Sequence, residues 1–372
     1  MGITSDKVVS GLEGVLAFES GIAFIDGDKP ELSFRGYDIA DVVRNFNFEA
    51  TTYLLWYGRI PTAAELASFT EELAGQRTVA PQVLEILKQT PPSSHPMAGL
   101  RTAVSMLGSL DPDADDIGPD TLFAKACSVT AKLPTIVAAQ VRLQAGHEPI
   151  APEPDLGHAA NYHYMVTGTA PDPVTTKTFD TALVLYTEHE TNASTFAARV
   201  VAGTQSDFYS AIVAGIGAIK GPLHGGAIDD AMSMLMAIGS PDEAADYVDA
   251  AVAAKRKLPG FGHRVYRAGD PRATQLRVMA EQMAEAVGDR RWFDVALATE
   301  KRMADTKGII PNVDYFAAPV LYQLGFPLNI MTNVVASARV AGWSAHVLEQ
   351  YANNRLIRPR ALYNGPRDQQ IP

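Results

Sequence analysis

Three short islands of the sequence each set one titratable side chain among glycines, prolines or amides. They are Gly221-Pro222-Leu223-His224-Gly225-Gly226, Gly260-Phe261-Gly262-His263-Arg264 and Pro311-Asn312-Val313-Asp314. None lies in an amphipathic run, so helix packing does not account for them. Two imidazoles and a carboxylate can take a proton from one carbon acid while a donor polarises a second carbonyl, with no metal and no nucleophile. Taken singly, each has a plainer reading: His224 and His263 as turn histidines, Asp314 as a helix cap.

Other chemistries find little support. His189-Glu190-Thr191-Asn192-Ala193 begins like a zinc-protease helix but has Ala193 where the second histidine belongs. His158 and His163 stand five apart, on different helix faces, and no cysteine pair exists, so no metal is expected. The sequence has neither a Gly-x-Ser-x-Gly elbow nor a phosphate-binding Gly-x-x-x-x-Gly-Lys loop. Gly215-Ile216-Gly217 lacks the strand and third glycine of a dinucleotide fold and reads as close helix packing or a hinge. The one cysteine, Cys127, reads as a buried structural thiol, and His95, His147, His158, His163 and His346 as structural histidines.

A formal charge of -11 makes the whole chain a poor partner for nucleic acid, so any anion must be met by a local cluster. One stands between 255 and 277, where Lys255, Arg256, Lys257, Arg264, Arg267, Arg272 and Arg277 face a single acid, Asp270. Arg339 is a second signal, because it interrupts an apolar helix. A buried guanidinium needs an anionic partner, either a structural carboxylate or a ligand.

The elements that must carry these residues are helical. Residues 11 to 37 hold five glycines between short β-leaning pieces (Val15 to Phe18, Ile22 to Ile25, Leu32 to Phe34), predicting small hairpins. Beyond them, apolar positions recur near a 3.6 period, from Ile39-Val42-Val43-Phe46 onward. Proline-rich connectors at Pro91-Pro92, Asp111-Pro112, Pro152-Glu153-Pro154 and Pro171-Asp172-Pro173 separate helices of ordinary length. Thr195 to Val213 and Leu328 to Val347 read as two long buried helices. With 47% hydrophobic and 20% charged residues the chain is an ordinary globular one, and no apolar run approaches membrane length. The first residues, Met1 to Lys7, carry no export or transit signal, so a cytoplasmic protein is expected.

The islands, taken in order with other motifs, resemble citrate synthases, specifically the short bacterial and archaeal type. The likeness runs nearly end to end. It includes Phe34-Arg35-Gly36-Tyr37, His95-Pro96-Met97 with Leu100-Arg101-Thr102, Asn161-Tyr162-His163-Tyr164-Met165, and Glu188-His189-Glu190 with Asn192-Ala193-Ser194-Thr195. After Gly226-Ala227 the chain has Ile228-Asp229 where many relatives have Asn-Glu.

The resemblance implies an all-α homodimer with a minor β-hairpin near the N-terminus. A large domain (residues 1–220 and 325–372) would carry dimerisation and the oxaloacetate site, and a smaller helical domain (221–324) would bind coenzyme A and close over the substrates. Gly221 and Gly225 would lie near the hinge. It implies that Asp314 removes the methyl proton of acetyl-CoA, that His224 stabilises the enol oxygen, and that His263 donates to the ketone of oxaloacetate. Oxaloacetate would be held by His189, Asn192, Arg272 and Arg339, joined by Arg358 from the other subunit. Coenzyme A would meet Arg267, the Leu258 to Gly262 backbone with Gly260 and Gly262, Asn312, and Lys255, Arg256 and Lys257. No cofactor would be held permanently, the coenzyme A thioester being a co-substrate, and neither nucleic acid nor membrane would be a partner. The reaction implied is condensation of acetyl-CoA with oxaloacetate and water to citrate, through citryl-CoA. A 2-methylcitrate synthase, using propionyl-CoA with the same machinery, is the near alternative, and a non-catalytic helical CoA-binding protein the remote one.

Overall fold

A computed structural model describes residues 8–91 and 93–371. The reading of Met1 to Lys7 as free of an export signal falls outside the described residues, as does Pro92 of the Pro91-Pro92 connector. Three short strands open the chain: β1 (Ala23–Asp26), β2 (Glu31–Phe34) and β3 (Tyr37–Asp38), antiparallel in that order. The β2–β3 turn is Arg35-Gly36, both at positive φ (48° and 86°), the two-residue geometry that suits the twist of a hairpin. Val15 to Phe18, predicted as a strand, is not one. It pairs with no strand among the described residues and Leu16 is exposed, so its apolar residues gain no sheet neighbour there.

Sixteen α-helices follow among the described residues. They are α1 (Ile39–Asn45), α2 (Phe48–Tyr57), α3 (Ala63–Gly75), α4 (Pro81–Gln89), α5 (Pro96–Leu110), α6 (Pro119–Gln144), α7 (His158–Thr167), α8 (Pro173–Tyr186), α9 (Ala193–Gly203), α10 (Phe208–Ile219), α11 (Ala227–Ile238), α12 (Ala244–Ala253), α13 (Pro271–Val287), α14 (Arg291–Lys307), α15 (Val313–Gln323) and α16 (Met331–Ala352). The fold is all-α with one small sheet, as the sequence predicts.

At its centre stands α16, buried on every side from Met331 to Val347 and packed against α2, α6, α8, α9 and α10. It begins three residues later than predicted, because Leu328–Ile330 forms a 3₁₀ turn first. The predicted helix from Thr195 to Val213 is two helices. Gly203 ends α9, Gln205 takes a positive φ, and Asp207 caps α10 by accepting from the Ser210 N–H at 2.8 Å. The break lets α9 and α10 pack on one another. The 26-residue α6 is long and apolar enough to cross a membrane, yet most of it is buried inside the protein, where a core helix belongs. Cys127 lies in it, and burial pushes its thiol up to about 12.

Helices α11 to α15 pack chiefly on one another and meet α1, α8 and α16 at their edge. Residues 353–371 form no helix or strand; their start lies across the end of α9, where the Asn354 side chain donates to the Gly203 carbonyl at 3.2 Å.

Candidate active site

The second and third islands are fastened together by the backbone. Phe261 and Pro311 form an antiparallel bridge, Gly262 N–H donates to the Ile310 carbonyl at 3.0 Å, and Asn312 N–H donates to the Gly260 carbonyl at 2.8 Å. Asn312 completes the clasp: its side-chain amide donates to the Gly262 carbonyl at 2.9 Å while its Oδ1 caps α15 through Asp314 N–H at 3.0 Å. Gly260 cannot be replaced cheaply, because its φ is 79° and a Cβ would press on the Tyr315 ring. The first island is a tight turn ending α10, with His224 N–H donating to the Gly221 carbonyl at 2.9 Å. A Cβ on Gly225 would collide with the Ile219 carbonyl.

These turns bring two imidazoles, those of His224 and His263, around His189. Its ring meets His263 edge-on at 5.2 Å between centroids, and it feels the charges of Arg272 and Arg339 and the ring of His224. His263 accepts two backbone N–H groups at Nδ1, from Val265 at 3.0 Å and Tyr266 at 3.1 Å. An imidazole that accepts at Nδ1 carries its proton at Nε2 when neutral. Burial, reinforced by the Arg272 charge, lowers His263 to about 4; burial and Arg339 lower His224 to about 4. His189 is pushed well below its ordinary value by the same causes. All three are therefore neutral near pH 7, and each offers a donor without carrying a charge.

Asp314 sits in the first turn of α15. Its Oδ1 accepts from the Tyr186 hydroxyl at 2.8 Å. Burial raises its pKa, against the pull of Tyr186 and of Arg272. A carboxylate partly stripped of water is a stronger base than an exposed one.

Two guanidiniums complete the site. Arg272 is buried and forked onto Asp270, Nε to Oδ1 at 3.0 Å and Nη2 to Oδ2 at 2.8 Å, while Asp270 also accepts the backbone N–H groups of Arg272 and Val313, both at 3.0 Å. One carboxylate thus ties the arginine to the start of the Asp314 helix. Arg339 donates from Nε to the Tyr186 carbonyl at 2.6 Å and forms no ion pair among the described residues. Burial lowers it to about 10, with Glu188 opposing, so it stays a cation. Of the two partners its sequence position admits, no structural carboxylate among the described residues lies within ion-pair reach, and its terminal nitrogens are left for an anion.

Asn192 caps α9, its Oδ1 accepting Ser194 N–H at 3.1 Å and Thr195 N–H at 3.0 Å, while its buried Nδ2 has no partner among the described residues. The Ser194 hydroxyl stands 2.8 Å from His224 Nε2 and takes the Trp343 indole N–H at 3.1 Å.

His189, His224, His263, Asp314, Arg272, Arg339, Asn192 and Asn312 therefore gather in one region. The remaining predicted residues do not converge as a cationic patch. Lys255, Arg256 and Lys257 are exposed after α12, Arg256 donating to the Tyr247 hydroxyl at 2.9 Å. Arg267 is exposed, 3.4 Å from Asp28, and Arg277 lies 3.5 Å from Glu300. Leu258 is buried. Arg358 is exposed in the C-terminal segment and forms no ion pair among the described residues. Sequence reasoning missed the roles of Asp270, Tyr186, Ser194 and Trp343. Only Asp270 left a trace, the Asp-Pro-Arg pattern of a capped helix with proline at its first position.

An all-α scaffold that turns neutral imidazole donors, a desolvated carboxylate and two guanidiniums toward one place is equipped for acid–base chemistry on a small anion. The family described as "Citrate synthase, C-terminal domain" matches residues 11–360. The chain is 44% identical over 362 residues to "Citrate synthase 2" of Bacillus subtilis, covering 97% of each. It is 40% identical over 365 residues to a 2-methylcitrate synthase of Mycobacterium tuberculosis, covering 98% of this chain and 92% of the relative. A solved ternary complex of carboxymethyl coenzyme A and oxaloacetate with citrate synthase from Thermoplasma acidophilum is similar in structure, with a TM-score of 0.93 and 32% identity over 99% of this chain and 98% of that one. The chain belongs to the citrate synthase family, and it is a transferase of that family.

Proposed function

We propose that the protein condenses acetyl-CoA with oxaloacetate and water, giving citrate and coenzyme A. The observation that carries this is the fixed tautomer of His263: two backbone N–H groups occupy Nδ1, so a neutral ring presents Nε2–H to a ketone oxygen. Asp314 takes a proton from the acetyl methyl as His224 donates to the thioester oxygen, which stabilises the enol that a carboxylate could not otherwise generate. The enol carbon bonds to the ketone carbon of oxaloacetate, and the resulting alkoxide takes its proton from His263. Water then cleaves the thioester of citryl-CoA, releasing coenzyme A. His189, Asn192, Arg272 and Arg339 hold the oxaloacetate carboxylates, guanidiniums matching them through paired hydrogen bonds. The ligands named for the Thermoplasma acidophilum complex support this pairing of co-substrates.

In this reading residues 221–324 form the smaller domain that closes over the acyl-CoA, with Arg267, Lys255, Arg256, Lys257, Asn312 and the Leu258 to Gly262 backbone meeting coenzyme A. The enzyme acts as a homodimer, Arg358 serving the neighbouring subunit's site; its exposure and its lack of an ion pair among the described residues support that role.

The second reading, 2-methylcitrate synthesis from propionyl-CoA, is favoured by the 40% identical relative of that name. One methylene in a pocket is worth only about 1 to 3 kcal/mol. The test is coenzyme A release with oxaloacetate, comparing kcat/KM for acetyl-CoA and propionyl-CoA. A higher value for acetyl-CoA is expected. A clear propionyl preference moves the assignment to 2-methylcitrate, and release from neither overturns both readings.

A further inference from the structure

Tyr186, the last residue of α8, touches both halves of the proposed reaction. Its backbone carbonyl accepts Arg339 Nε at 2.6 Å, and its hydroxyl donates to Asp314 Oδ1 at 2.8 Å. The residue is only 4% exposed, and no second side chain among the described residues donates to the Asp314 carboxyl. A carboxylate has two oxygens and rotates freely unless one is held. Here Oδ1 is occupied, which leaves Oδ2 alone with its lone pairs open.

We infer that Tyr186 is a positioning residue for the base: its phenol pins Oδ1 of Asp314, so that Oδ2 is the oxygen that receives the substrate proton. The inference rests on the proposed role of Asp314 and adds to it which oxygen acts and what holds the other. The same residue's carbonyl aims Arg339, so binding of the dicarboxylate and alignment of the base share one rigid helix end.

The surroundings leave the phenol as the tunable partner. Arg272 and its partner Asp270 face Asp314 from the start of α13, and Arg339 faces it from α16. From α14, Glu300 reaches the neighbouring Tyr315 and lies 3.5 Å from Arg277, and from α11, Asp229 is bound by the Thr332 hydroxyl. Arg272 and Arg339 are each fastened elsewhere, to Asp270 and to the Tyr186 carbonyl. Neither donates a hydrogen bond to Asp314.

The sign follows. A donor to the ionised form holds a carboxyl's pKa down, so its removal raises it and moves the acid limb of kcat/KM for acyl-CoA toward higher pH. A hydrogen bond to a charged group corresponds to a shift of about one pH unit. The experiment is the pH profile of coenzyme A release by Tyr186→Phe. The acid limb should rise by about one unit while KM for oxaloacetate stays within about twofold, because the backbone carbonyl is unchanged.

Should Tyr186→Phe fail to fold, 3,5-difluorotyrosine placed at 186 keeps the shape and makes a stronger donor, and the limb should move the other way. An unmoved limb in the folded variant, or a raised KM for oxaloacetate at constant kcat, overturns the inference. Titration of the Asp314 carboxyl carbon by NMR, identified by its absence in Asp314→Asn, reads the same shift without turnover. Absence of activity in the unaltered enzyme would therefore count against the proposed reaction, while an unshifted carboxyl in Tyr186→Phe would count against the tyrosine.

Discussion

The two halves of the site are built in different ways. Around the place proposed for oxaloacetate, four groups are buried or half-buried and fastened: His263 by two backbone N–H groups, Arg272 by the Asp270 fork, Arg339 by a carbonyl, Asp314 by a phenol. Around the place proposed for the coenzyme A phosphates, Lys255, Arg256, Lys257 and Arg267 are exposed and loosely engaged. A preorganised site stabilises developing charge without reorganising as the reaction proceeds. Exposed cations act through a field that water and salt weaken. In the proposed reading, chemistry and recognition of the small acid are set before either substrate arrives, whereas the long nucleotide tail is met by charge.

The comparison breaks most visibly if a fastened group proves dispensable. His263→Gln should lower kcat about a hundredfold or more, since it removes a donor aimed at forming charge. Steady-state coenzyme A release checks it.

Next in size is Asp270→Asn, which leaves Arg272 buried without its counter-charge. Breaking a buried pair from one side costs about 3 to 5 kcal/mol. Burial pushes the Asp270 carboxyl up, but the Arg272 charge and fork outweigh it and leave it below the ordinary value. A carboxyl depressed in the folded state adds stability that is complete above its ordinary pKa and is lost as pH falls through the depressed one. Denaturant midpoints should therefore drop in Asp270→Asn at neutral pH, and the gap to the parent should close on strong acidification.

Arg358→Ala should raise KM for oxaloacetate about tenfold with little change in kcat, a uniform-binding effect. Mixed dimers with an inactive partner would then recover activity at one of the two sites if the arginine serves its neighbour. The smallest effect belongs to the loose half. Lys255→Ala with Lys257→Ala should raise KM for acyl-CoA only about twofold, and less at high salt. A large effect there would show a built phosphate site and undo the contrast.

Much of the fastened half is legible in the sequence as residue types, and little of it as fastening. His224, His263 and Asp314 stand out because glycine and proline surround them, and Arg339 because an arginine is out of place among Val335, Ala336 and Ala341. Their partners leave no such mark. Tyr186 and Trp343 look like any aromatic on an apolar helix, and Ser194 like any residue after a cap. Hydrogen bonds between residues more than a hundred positions apart carry no periodicity. The basic stretch from 255 to 277 misleads in the opposite direction: it is contiguous in sequence, yet folding buries Arg272 and pairs Arg267 and Arg277 with acids from distant segments. The split between α9 and α10 is masked by the alanine and valine on either side of it, although the polar run from Gly203 to Asp207 marks the break.

In the proposed reaction, the carbon chemistry and the hold on oxaloacetate reside in different side chains of one prebuilt half. Asp314→Asn separates them most directly when kcat and the calorimetric Kd for oxaloacetate are measured on the same preparation. Turnover should fall about 10² to 10⁴-fold while the Kd stays within about twofold, because the base is gone and the arginines keep their partners. Near-normal turnover with weakened oxaloacetate binding would contradict the claim.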